Sequence, residues 1–305
     1  MERILTAVIA VFMMVSLVAC GGTSDGEVQK PSNVSADNTE VPENNNDSYS
    51  EAMQPGETEV TIEETVLIDE SGVKITAKSL SMDEIFGAEL KLLMENNSGK
   101  NLTIQCRNAS VNGYMVEPMM SVDIVNGKNA NDAITFMDSD FDACGITGIA
   151  DMEFAFHIFT TDDWETYLDT AQIQLKTSIA ETYEYTFDDS GDVIYDANGI
   201  KVIIKGLAEN SSILGPGIVV YIENNTDKAF TVQSRDVSIN GFMVDAMFSC
   251  DVMPGKKAID TITFLSSELE ENGIAAIEDV ELSFHIFDTE SWNDIADTDV
   301  ASISF

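Results

Sequence analysis

The run Val280-Glu281-Leu282-Ser283-Phe284-His285-Ile286-Phe287 alternates apolar with polar residues, and 128 positions earlier Met152-Glu153-Phe154-Ala155-Phe156-His157-Ile158-Phe159 does the same. Successive side chains of a β-strand point to opposite faces, so a period of two marks a strand with one face buried. The two runs are one element written twice. His157 and His285, Trp164 and Trp292, and Arg107 and Arg235 are each 128 residues apart, and they are every histidine, every tryptophan and every arginine beyond Arg3. The chain is a tandem duplication, and each copy is read as one structural unit.

The match runs without a gap over 95–177 against 223–305. Upstream, Gly72-Val73-Lys74-Ile75 matches Gly199-Ile200-Lys201-Val202 at an offset of 127, so one residue was gained or lost around 81–87. Strands are expected over 73–79, 89–95, 102–108, 119–125, 133–137, 152–159 and 173–176. The second copy repeats them over 200–207, 217–223, 230–237, 247–253, 261–265, 280–287 and 301–304. Asn112-Gly113 and Asn240-Gly241 carry hairpin-turn chemistry, since both residue types tolerate positive φ. Ser267-Glu268-Leu269-Glu270 reads as a capping box opening a helical turn that stops near Gly273; its partner, Ser139-Asp140-Phe141-Asp142, stops near Gly145. About seven short strands per copy, without a long helical period, predict an all-β chain of two tandem immunoglobulin-like β-sandwich domains. The expected domains are 59–180 and 181–305, after a signal peptide at 1–19 and a tether at 20–58.

Residues 4–18 form an apolar run broken by Thr6 and Ser16, after the positive charge of Arg3. It is shorter than the roughly 20 residues of a spanning helix, and it ends in small residues, as a signal peptide does. Leu17-Val18-Ala19-Cys20 resembles the bacterial lipobox. That resemblance implies a lipoprotein, cleaved before Cys20 and carrying diacylglyceryl and further acyl chains such as palmitate on that residue. Each buried CH₂ of such chains contributes about 0.8 kcal/mol, so two or three hold a protein on a membrane. The following stretch to Thr58 is rich in Ser, Asn, Asp, Glu, Gly and Pro. Such a segment cannot bury enough apolar surface to offset its ordering entropy and is expected to be a disordered tether, spanning roughly 35 Å.

The formal net charge is −39. Phosphate binding needs clustered Lys and Arg, so a nucleic-acid partner is not expected. Cys106, Cys144 and Cys250 face Ser234, Asn272 and Val122 in the other copy, so no disulfide framework belongs to the repeat. Cys106 and Cys250 read as small core residues, and a Cys106–Cys144 bridge is left open. Asp138-Ser139-Asp140-Phe141-Asp142 opens like a calcium loop, but Ala143 and Ile149 stand where Gly and Glu are required. No metal, cofactor or catalytic set is expected, nor an enzyme. His157 and His285 lie on the strand face opposite the core and are expected to be hydrogen-bonded surface residues. Trp164 and Trp292 follow acidic turns and are expected to plug the sandwich end. Arg107 and Arg235 are expected to form structural ion pairs, with Asp123 and Asp251 on neighbouring strands as the nearest candidates.

Val111-Asn112-Gly113-Tyr114-Met115-Val116, its counterpart Ile239-Asn240-Gly241-Phe242-Met243-Val244, and the Phe-His-Ile-Phe runs followed by Trp together resemble immunoglobulin-like domains of unknown function in Gram-positive bacterial lipoproteins. The resemblance covers about residues 65–176 and 193–305 and implies a sandwich in a cell-surface setting. The expected role is a membrane-anchored, extracytoplasmic binding or scaffolding module that meets envelope protein or glycan. The alternative is a ligand-sensing or solute-capturing lipoprotein serving a transporter, which a deep apolar pocket between the copies would favour.

Overall fold

The computed structural model describes residues 60–83, 87–208 and 213–305. The segments expected to be signal peptide and tether, with Cys20, lie outside the described residues. The first copy holds β1 (Thr65–Glu70), β2 (Val73–Asp83), β3 (Gly87–Asn96), β4 (Leu102–Val111), β5 (Tyr114–Met115), β6 (Pro118–Met119), β7 (Ser121–Ile124), β8 (Lys128–Phe136), α1 (Asp138–Cys144), β9 (Asp151–Thr160), β10 (Thr166–Asp169) and β11 (Ile173–Lys176). The second holds β12 (Asp192–Ala197), β13 (Ile200–Leu207), β14 (Gly217–Asn224), β15 (Phe230–Ile239), β16 (Phe242–Met243), β17 (Ala246–Met247), β18 (Ser249–Val252), β19 (Lys257–Phe264), α2 (Ser266–Glu271), β20 (Asp279–Asp288), β21 (Asp294–Asp297) and β22 (Ala301–Ser304). The duplication holds strand for strand.

Each copy has two antiparallel strand sets. In the first copy β1-β2-β3-β8-β6 form one; in the other, β4 lies between β9 and the short strands β5 and β7, and β9 pairs onward with β10 and β11. The second copy repeats this, with β12-β13-β14-β19-β17 and with β15 between β20 and β16/β18. Leu90, Leu92 and Met94 of β3 share one apolar cluster with Phe154, Phe156 and Ile158 of β9, so the two sets close over a common core. Ile218, Val220 and Ile222 meet Leu282, Phe284 and Ile286 in the same way. Each such side chain, fully buried, contributes about 1.5–3 kcal/mol.

The backbone repeats as closely as the sequence. Among the described residues, the non-glycine residues with positive φ fall into four pairs: Ser71 and Asn198, Asn108 and Asp236, Asn112 and Asn240, Trp164 and Trp292. The expected Asn-Gly turns are present, with φ of 50° and 84° at Asn112-Gly113. The helix stops are present too: Gly145 and Gly273 sit at φ 67° and 70°, and Ile146 and Ile274 donate back to Phe141 and Leu269 at 2.8 Å.

The capping box does not form. The N-caps are Met137 and Leu265, neither with a side-chain cap bond. Instead the Glu268 carboxylate accepts the Asp245 N–H at 3.0 Å, and Asp140 accepts the Glu117 N–H at 3.0 Å. These acids clamp the β5–β6 and β16–β17 connections rather than the helices.

A buried asparagine closes each core. Asn96 is fully buried; its amide donates to the carbonyls of Lys100 at 2.8 Å and Ile124 at 2.7 Å. Its oxygen accepts the Ser98 N–H and hydroxyl at 3.0 and 2.6 Å. Asn224 repeats the pattern with Lys228, Val252 and Thr226.

The copies are joined edge to edge. Tyr114 of β5 and Lys257 of β19 form one parallel bridge, with the Lys257 N–H donating to the Gly113 carbonyl at 2.9 Å. Lys256 Nζ lies 2.6 Å from Glu153 Oε1 across the junction. The Lys257 ammonium sits 4.1 Å above the Phe187 ring. Tyr114 is 1 % exposed and packs on Tyr185, Phe187 and Tyr221 at ring separations of 5.7, 5.1 and 6.5 Å. The junction leaves one mark on the repeat. Ser238 donates to Glu281, whereas its counterpart Ser110 has no partner among the described residues, because Glu153 turns to Lys256.

Candidate functional site

The outward residues of β7, β4, β9 and β10 line up in rows. Ser121, Gln105, His157 and Asp169 are register partners in one row, and Asp123, Thr103, Phe159 and Thr166 in the next. The second copy gives Ser249, Gln233, His285 and Asp297, then Asp251, Thr231, Phe287 and Asp294. Every histidine, tryptophan and arginine among the described residues belongs to this face.

The histidines stand where the alternation puts them, opposite Phe154, Phe156 and Ile158. His157 Nδ1 lies 2.5 Å from Asp169 Oδ1, and His285 Nδ1 lies 2.7 Å from Asp297 Oδ1. Each carboxylate fixes the orientation of the ring it meets.

The arginines correct the expectation of an ion pair. Arg107 and Arg235 are exposed, and each donates to the glutamine two residues before it, Gln105 at 2.8 Å and Gln233 at 3.0 Å. Asp123 and Asp251 are register partners of Thr103 and Thr231 instead, and take those hydroxyls at 2.6 Å. Exposed contacts of this kind are worth about 0–1 kcal/mol, which is the range expected for Arg235→Ala in urea unfolding.

The tryptophans correct the expectation of a plug. Trp164 and Trp292 are 75 % and 74 % exposed. Each follows a turn at the end of β9 or β20, with its N–H donated to Thr160 or Asp288 at 2.9 Å. Each adopts the left-handed backbone, at φ 61° and 59°. For a bulky residue that conformation is an outlier, costing about 1–3 kcal/mol. It carries the indole over the outer face instead of between the sheets. There it stacks on Phe159 or Phe287 at 5.4 and 5.5 Å, interplanar angles 17° and 16°. His157 and His285 continue the stripe at 5.2 and 5.3 Å from the same phenylalanines. Exposed acids surround both stripes: Asp162, Asp163, Glu165 and Asp169 in one, Glu290, Asp294 and Asp297 in the other.

These two terms oppose each other in a way that can be measured. Trp292→Gly removes a stack worth about 0.5–1.5 kcal/mol and relieves about 1–3 kcal/mol of backbone strain. The net change in unfolding free energy is therefore expected to lie between a loss of about 0.5 and a gain of about 2.5 kcal/mol. A tryptophan plugging the core would cost about 3–5 kcal/mol.

A crevice of about 600 Å³ runs between the copies, lined by Arg107, Glu117, Asp140, Asp251, Asp260 and, at its floor, all three described cysteines. Cys106, Cys144 and Cys250 are free and buried, so the bridge left open by the sequence is not formed. Burial pushes the Cys106 and Cys144 thiols up to about 12 and Cys250 well above its ordinary value. These are inert thiols. Burial first, then the neighbouring Asp140, Asp260 and Asp251, raises Glu117; burial also raises Asp140 and Asp260.

The sign of the pH dependence follows. A carboxyl whose folded pKa exceeds its unfolded value binds more protons when folded, so its contribution to stability falls as pH rises through that window, from about pH 4 upward. Asp163 and Asp288 act oppositely, held low by hydrogen bonds to Thr160 and Ser291, and lose their contribution as pH falls below about 4. Thermal stability is expected to peak in mild acid and fall towards pH 7, and Asp140→Asn is expected to flatten the upper slope. An unchanged slope in that variant would remove the crevice as its source.

No protein-family model matches the chain, and no curated protein matches it.

Proposed function

We propose that the chain is a lipid-anchored, extracytoplasmic binding or scaffolding protein made of two immunoglobulin-like domains, about 59–180 and 181–305. The pairing β2-β3-β8 against β7-β4-β9-β11 follows the A-B-E against C′-C-F-G order of that sandwich, which supports the finer fold reading. Anchorage rests on Leu17-Val18-Ala19-Cys20 and the polar stretch after it. Cys20→Ala is expected to move the protein from the membrane fraction to the medium or to an uncleaved precursor; unchanged fractionation and acyl labelling would refute it.

The observation that carries a binding role is the pair of exposed tryptophans, held in a strained backbone at the same place in both copies. Strain kept twice on an open aromatic face is the mark of a contact surface, since exposed aromatics supply much of the affinity at interfaces. Two equal faces on one chain also raise avidity when both engage. The partner is an envelope protein or glycan. Mature chain carrying Cys20→Ser, incubated with isolated cell envelopes, is expected to be retained, and a Trp164→Ala/Trp292→Ala double variant is not. Loss of retention after protease treatment of the envelopes assigns a protein partner, and persistence assigns a glycan. Equal retention of the double variant overturns the reading.

A further inference from the structure

The junction inside the chain uses a surface that the second copy also has and leaves open. In the first copy, three features meet the second at the β5 edge: the Gly113 carbonyl takes the Lys257 N–H, Tyr114 of β5 packs on Tyr221 of β14, and Glu153 of β9 pairs with Lys256. The counterparts 128 residues on are Gly241, Phe242 and Glu281. Phe242 is 48 % exposed where Tyr114 is 1 % exposed, and Met243 is 65 % exposed where Met115 packs against the second core. Glu281 is exposed, and among the described residues its carboxylate accepts one side-chain hydrogen bond, from the Ser238 hydroxyl at 3.4 Å.

The receiving half of the junction is likewise left open on the first copy. The residues of β8 that correspond to Lys256 and Lys257 are Lys128 and Asn129, both exposed, and Lys128 has no ion pair among the described residues. β6 covers β8 only at Thr135 and Phe136, so among the described residues no strand pairs with the outer edge at Asn129, while the Lys128 N–H closes its own turn on Val125. Leu93, half-buried, stands where Tyr221 stands in the second copy.

We infer that this chain associates head to tail with a second copy of itself, the β16 edge of one molecule seated on the β8 edge of the next. The contact repeats the internal junction: Asn129 N–H to the Gly241 carbonyl, Lys128 to Glu281, and Phe242 against Leu93. Charge is complementary, lysine on one side and glutamate on the other, as at Lys256–Glu153. The interface is heterologous and leaves one free edge and one free face at the ends, so it propagates rather than closing. It is also weaker than its template, because Leu93 and Asn131 replace Tyr221 and Ile259. Paired edges would cover strand groups that isolated molecules expose.

The test uses mature chain carrying Cys20→Ser over a wide concentration range, in sedimentation velocity and with carbodiimide cross-linking. Carbodiimide activates a carboxylate, and a lysine close to it displaces the activating group to leave an amide. The Lys256–Glu153 cross-link within each molecule is the internal control. The expected result is concentration-dependent association with a Lys128–Glu281 cross-link between molecules. Phe242→Asp and Leu93→Asp are each expected to weaken association at least tenfold while leaving the control cross-link intact. A mixture of the two variants is expected to form dimers that grow no further, because each retains the half that the other has lost. A chain that stays monomeric and gives no Lys128–Glu281 cross-link overturns the proposal. So does association that is sensitive to Phe242→Asp but not to Leu93→Asp, which would mean a symmetric edge-to-edge dimer.

Discussion

Asn224→Ala is expected to destabilise the mature chain by at least about 3 kcal/mol, read as a shift of the urea midpoint at constant slope. The side chain is fully buried and uses all its hydrogen-bonding capacity: two donors to Lys228 and Val252, and an oxygen shared by the N–H and hydroxyl of Thr226. Alanine removes four hydrogen bonds from a fully buried site at once, and each is worth about 0.5–1.5 kcal/mol. It also releases the Thr226–Lys228 turn, whose geometry the amide dictates. Asn224→Asp is expected to be nearly as harmful, because its second oxygen would face two carbonyls. A loss below 1 kcal/mol in the alanine variant would mean that the turn re-forms without the amide. Asn96→Ala in the first copy is expected to give the same result.

Asn96 and Asn224 show where sequence reading stops. Both sit inside the gap-free repeat, and a polar residue ending an alternating strand looks like a turn. That it is buried depends on β7 and β18 passing overhead, which no local pattern records. The alternating strands were legible because one face meets a core; 173–176, 200–207 and 301–304 coincide with β11, β13 and β22. The strands β1, β12, β10 and β21 were not foreseen. They are edge strands with at most one buried side chain apiece, so no period of two is imposed on them. The contacts of the two arginines are not legible for a related reason. Acids are abundant in this chain, and register, not abundance, decides which side chain each acid meets. The exposure of the tryptophans is not legible because the sign of φ at a bulky residue leaves no trace in composition.

The duplication itself carries one further signal. Where the copies differ on outward positions, they differ as a junction requires. Tyr221, Ile203 and Ile259 stand in the second copy where the first has Leu93, Thr76 and Asn131. Tyr221 and Ile203 belong to the same apolar cluster as the first copy's core, and Ile259 packs against it. In a tandem repeat, larger or more apolar residues on the outward face of one copy mark the place where the copies meet, since that copy's own core does not call for them.

Tyr114→Ala is expected to uncouple the two copies and to cost about 3–5 kcal/mol, the range for removing a buried aromatic. The ring is 1 % exposed and contacts Tyr185, Phe187 and Tyr221, which come from the connecting segment and the second copy. Its removal opens a void at the junction and loosens the β5–β19 bridge, while the inward residues of each core keep their neighbours. Calorimetry of the mature chain is therefore expected to show a transition lowered and split in two, because each copy retains an apolar cluster of its own. The control is contained in the molecule. Phe242 occupies the same position of the repeat, with the same turn before it, and is 48 % exposed. Phe242→Ala is expected to change stability by no more than about 0.5 kcal/mol, as surface substitutions usually do. Equal losses at the two sites would place the aromatic's role in the fold of each copy. A loss at Tyr114 alone places it in the joint.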